Sequence, residues 1–81
     1  MDKYERVALY LRGVERQFAE AAGEEGTPDR GVWITCWCAD LDVTTEVRIH
    51  DADVDTFASL ADEYTDEELN KHHDKFKEDW P

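Results

Sequence analysis

Two short runs in this chain alternate in step with each other, and that restricts the fold more than any other feature. Val32-Trp33-Ile34-Thr35-Cys36-Trp37-Cys38 is rich in β-branched and aromatic residues, and Val43-Thr44-Thr45-Glu46-Val47-Arg48-Ile49 alternates strictly. The short turn at Asp40-Leu41 makes them an antiparallel hairpin, whose simplest register pairs positions summing to 81. Val32 then faces Ile49, Ile34 faces Val47 and Cys38 faces Val43, all on one apolar side. The other side sets Trp33 opposite Arg48, Thr35 opposite Glu46 and Trp37 opposite Thr44. A slip by one residue would mix the two sets, so the pattern itself pins the pairing.

Helical spacing flanks the hairpin. Tyr4, Val7, Leu11, Val14, Phe18 and Ala21 recur at three- and four-residue steps and predict one amphipathic helix over about Lys3 to Ala22. Gly23 stops it, and the segment from Gly23 to Gly31 reads as a loop from its Gly and Pro content. After the hairpin, Val54, Phe57, Ala58, Leu60 and Ala61 form the inward face of a second helix over about Val54 to Tyr64, with Asp51 or Asp53 as N-cap. Thr65 with Glu68 three residues later is a capping-box start. A third helix follows to about Asp79, apolar at Leu69, His72 or His73, Phe76 and Trp80. The expected fold is α+β: a single small domain, α-β-β-α-α, with a two-stranded antiparallel hairpin packed against helices.

At 81 residues the core must be thin, since a chain this short buries only about 60–65% of its extended surface. With 41% hydrophobic residues it is nonetheless too apolar for a disordered acidic tail. The balance of 9 Lys and Arg against 21 Asp and Glu gives a net charge of −12, which argues against nucleic acid or an anionic membrane as a direct ligand. No stretch approaches a membrane span, and the N-terminus lacks the basic start and apolar run of a signal peptide.

Each chemical motif has a plainer explanation. Cys36 and Cys38 point the same way on a strand, about 6–7 Å apart, too far for an unstrained disulfide. Zinc sites pair cysteines through a tight knuckle instead, so Cys36, Cys38, His50, His72 and His73 do not make a metal centre. The two cysteines are expected to be reduced core residues of a cytoplasmic protein. Asp51-x-Asp53-x-Asp55 echoes the first half of a calcium loop, but Thr56 stands where the sharp turn needs Gly, and Asp62 where a bidentate Glu is usual. Acids at a helix start are favoured by the macrodipole without any ion. No nucleophile stands beside a base, and neither enzymatic activity nor a cofactor is expected.

The acidity is local. Residues 1–22 hold four acids against four bases, whereas 51–81 hold eleven acids against three lysines. Between Arg48 and Lys71 stand Asp51, Asp53, Asp55, Asp62, Glu63, Asp66, Glu67 and Glu68 with no Lys or Arg among them. Arg12 or Arg16 is the counter-charge expected to approach in the fold. Glu67, Lys71, Lys75 and Asp79 would form a salt-bridged solvent face on the third helix. Asp51, Asp53, Asp55, Asp62, Glu63, Asp66 and Glu67 are the expected binding surface for a basic protein, with Tyr64 as a stacking or packing group. Trp33 and Trp37 are a second candidate, unless covered by Phe76 and Trp80. Trp33 over Arg48 would form a cation–π pair.

In size, charge and element order the chain resembles small acidic inhibitors from phages and mobile elements, such as certain anti-CRISPR and anti-restriction proteins. The resemblance implies a carboxylate patch that occupies a nucleic-acid-binding channel in place of phosphates, as a DNA mimic acting in the host cytoplasm. The same charge logic fits an immunity protein or antitoxin against a basic toxin. A third reading is an acidic accessory protein of a halophilic or housekeeping system; the neutral first helix argues against a halophilic origin.

Overall fold

The structure, a computed structural model, describes residues 1–71. Its first helix, α1, runs Lys3–Gly13, and Asp2 caps it by accepting a hydrogen bond from the Glu5 amide at 2.9 Å. The chain leaves the helix with Val14 and Glu15 both donating to the Tyr10 carbonyl, then reverses through Arg16 in the left-handed region at φ 54°. The helix expected to reach Ala22 therefore ends nine residues earlier, at Gly13.

Ala19–Ala22 is instead a strand, β1. It pairs antiparallel with β2 (Gly31–Cys38), Ala19 opposite Ile34 and Ala22 opposite Gly31, and β2 pairs with β3 (Val43–Arg48). The sheet is thus three-stranded, in the order β1-β2-β3, where a two-stranded hairpin was expected. Ala and Glu are weak strand formers, so local preference points to helix. Pairing wins because it satisfies the free edge of β2 and buries Ala19 completely. Gly23, at φ 90°, opens the connecting loop, and a side chain there would strike the Asp29 carbonyl.

The hairpin register is as expected, pair for pair from Trp33 opposite Arg48 to Cys38 opposite Val43. The Ile49 amide donates to the Val32 carbonyl at 2.9 Å and extends the ladder by one pair. The second helix, α2, spans Asp51–Ala61, three residues earlier than the spacing predicted at each end. His50 is its N-cap and contributes no side-chain bond, in place of Asp51 or Asp53. Both aspartates lie inside the first turn, where the helix dipole favours them. Residues 66–71 are helical, and the capping box is present in full: the Glu68 amide donates to Thr65 Oγ1, and the Thr65 amide to Glu68 Oε1. The expected continuation to Asp79, with His72, His73, Lys75, Phe76 and Trp80, lies outside the described residues.

In the core, α1 lies between the sheet and α2, which explains why Val7, Ala8, Leu9, Tyr10 and Leu11 are all buried. A helix packed on two sides needs more than the single stripe its spacing suggests. Val32, Ile49, Val54, Ala61 and Leu69 complete the cluster, with Ile34, Phe57, Ala58 and Tyr64 partly buried around it. Leu60, expected inward, is exposed, as is Val14 at the frayed end of α1.

Candidate functional site

Charge is handled differently in two parts of the surface. At the hairpin base, Arg30 is the buried charged residue among those described, 8% exposed. Its guanidinium grips Asp2 through Nε–Oδ2 at 3.0 Å and Nη2–Oδ1 at 3.1 Å, donates to Glu5 at 3.2 Å and to the Gly23 carbonyl at 3.1 Å, and lies over the Tyr4 ring. The Arg30 bonds hold the Asp2 carboxyl below its ordinary range even though burial pulls the other way. Glu25 joins Asp2 and Glu5 in an acid cluster within 4.8 Å, the one grouping among the described residues compact enough for a cation. Arg30 already fills that role. Nothing in the sequence distinguished Arg30 from the other loop residues, because its partners lie up to 28 positions away.

Arg48 secures the same region from the far strand. It lies over Trp33 at 5.6 Å, as expected, and donates to the Arg30 and Pro28 carbonyls at 2.9 and 3.2 Å. The room it needs is supplied by Gly31, where a Cβ would sit 2.6 Å from Arg48 Nε.

The acidic run is partly neutralised, though by cations other than those anticipated. Lys3 binds Asp55 at 2.8 Å, Arg6 binds Asp66, and Arg48 approaches Asp51 at 3.9 Å. Arg6 also donates to the Ala61 and Tyr64 carbonyls, and so caps the C-terminal end of α2. Arg12, one of the two bases anticipated, is paired instead with Glu20 at 3.4 Å. Glu68 is spent on the capping box.

Asp53, Asp62, Glu63 and Glu67 remain, all exposed and without an ion pair among the described residues. Asp53 and Glu67 sit in first helical turns, where the dipole stabilises them. Asp62 and Glu63 do not. Asp62 is the C-cap of α2 and Glu63 follows it, so both sit at the negative end of that helix, whose last turn holds no base. Tyr64 beside them packs on Tyr10, ring centroids 6.1 Å apart, and fixes the turn in place.

The cysteines correct an expectation. Cys36 and Cys38 are free and exposed, not core residues. Among the described residues the helical layer covers only the hairpin base, where Val32 and Ile34 pack, and Cys36, Trp37, Cys38 and Val43 to Arg48 are exposed. Trp37 is 66% exposed and donates to Asp42 at 3.4 Å, while Trp33 is half-buried. Their expected cover, Phe76 and Trp80, lies outside the described residues.

His50 and the two cysteines form no group of possible metal ligands within the described residues. Asp51, Asp53 and Asp55 lie on α2, not in a calcium-type loop. Among the described residues no helix is long and apolar enough to cross a membrane. No family model, no curated protein and no solved structure matches the chain.

Proposed function

We propose that this protein is a non-enzymatic binding module whose carboxylates engage a basic protein surface of the kind that otherwise holds nucleic acid. One observation carries the reading: Asp62 and Glu63 are exposed, lack an ion pair among the described residues, and stand at the negative end of α2, where Arg6 bonds the Ala61 and Tyr64 carbonyls and Asp66 but neither of these two carboxylates. A folding role would place such acids elsewhere or pair them. A partner's Lys or Arg supplies what the fold leaves out, and attraction of this type speeds association and weakens with salt. Asp53 and Glu67 extend the surface, while Asp51, Asp55 and Asp66 contribute less because Arg48, Lys3 and Arg6 already attend them. Free thiols at Cys36 and Cys38 suit a reducing cytoplasm.

The test is binding of a labelled arginine-rich peptide at two ionic strengths, then displacement of duplex DNA from a basic nucleic-acid-binding protein captured with the wild-type chain. Asp62→Lys and Glu63→Lys should each weaken peptide binding and displacement several-fold at low salt, and less at high salt. Glu24→Lys and Asp29→Lys, exposed acids on the loop before β2, make the same change in net charge. Equal losses in both sets would reduce the effect to net charge and remove the localised site.

A further inference from the structure

Among the described residues the strand β3 forms an edge of the sheet, and all six of its residues are exposed. The Ile49 amide bonds Val32, so by antiparallel alternation Val43, Thr45 and Val47 also turn their backbone groups toward β2. Thr44, Glu46 and Arg48 then turn theirs outward. Natural edges are usually blunted by Pro, Lys, a bulge or an inward charge. Val-Thr-Thr-Glu-Val-Arg carries no Pro or Lys, and its pairing with β2 runs without interruption.

We infer that β3 pairs with β3 of a second copy of this chain, antiparallel about Thr45, to make one continuous sheet. Centred there, Val43 faces Val47 of the second copy, Thr45 faces its own counterpart, and Thr44 and Glu46 exchange both backbone bonds. A shift by two residues one way centres Glu46 on Glu46, a like-charge pair. A further shift in that direction brings in Ile49, which is already buried in the core. The Thr45-centred register also merges the uncovered apolar sides of both hairpins, Cys36, Cys38, Val43 and Val47 of each.

Charge points to a second copy as the occupant. Residues 31–38 hold no charged side chain, and β3 holds one acid and one base, in a chain of net charge −12. A basic partner finds only Glu46 here, offset by Arg48, whereas two copies meet on strands that carry no net charge. The antiparallel arrangement also separates the two turns and sets Asp42 of each copy toward the strand end that carries Arg48 of the other.

Sedimentation velocity of the full chain across micromolar to millimolar concentrations tests this. The expected result is a species of twice the chain mass that dissociates on dilution. Thr44→Pro removes an outward amide without touching the β2 ladder, so it should abolish that species while circular dichroism stays native. A register test needs no loss of fold. With Cys36→Ser and Cys38→Ser in place, Thr45→Cys should crosslink to its counterpart under mild oxidation, because opposed residues of a non-hydrogen-bonded pair lie about 4.5 Å apart at Cα. Val43→Cys in the same background should crosslink much more slowly. A wild-type chain monomeric throughout, a dimer that survives Thr44→Pro with native fold, or faster crosslinking at Val43 than at Thr45 would overturn the proposal.

Discussion

The base of the hairpin and its tip share one register yet differ in what is packed against them. At the base, Val32 and Ile49 are buried, Arg48 spans Trp33 and Gly31, and Arg30 locks the loop to the cap of α1. At the tip, Cys36, Cys38 and Val43 continue the same apolar side into solvent, and Val47, opposite Ile34, is exposed as well. Helix α2 shows the same division. The acids at its start are stabilised by position, and those at its end, Asp62 and Glu63, are not. The proposed function assigns to a partner the carboxylates that this fold leaves without a cation among the described residues.

The largest expected effect is at the base. Arg30→Met should cost about 3 kcal/mol, because it strands Asp2 and Glu5 beside an apolar side chain. Urea unfolding measures this, and a loss under about 1 kcal/mol would show that the base is no more constrained than the surface. Next, Ile34→Asp buries charge against the core and should cost at least about 2 kcal/mol. Val47→Asp, in the pair directly opposite, should cost less than about 1 kcal/mol because Val47 is 53% exposed. Equal damage at both sites would mean the tip is covered in solution.

Acid sharpens the contrast further. The Asp2 carboxyl is held below its ordinary value of 3.8, so its contribution is fully present above that pH. It is lost as pH falls through the lowered folded value. Arg30→Met should flatten this acid limb, which urea midpoints at successive pH values would show. An unchanged limb would detach Asp2 from Arg30. The smallest effect belongs to the tip: Cys36→Ser and Cys38→Ser should each shift stability by no more than about 0.5 kcal/mol.

The hairpin register was legible because a period of two admits no slip without mixing faces, and the capping box because its two bonds are local. β1 was not legible, since Ala19-Glu20-Ala21-Ala22 continues a helical spacing and becomes a strand only when β2 offers an edge. The cysteines were misassigned for a related reason. Alternation shows which side of a strand is apolar, but not how far the covering layer extends along it. The acidic run was visible as sequence. Its division into paired and open carboxylates required the fold, which brings Lys3 and Arg6 across from α1.

On the proposed function, Asp62 and Glu63 are kept at a cost to folding. The most direct measurement is the unfolding free energy of the double variant Asp62→Asn/Glu63→Gln at low and high salt. The double variant should be more stable than wild type by several tenths to about 1 kcal/mol at low salt, with the gain shrinking as salt rises. A double variant less stable than wild type at both salt concentrations would contradict it, because the two acids would then belong to the fold.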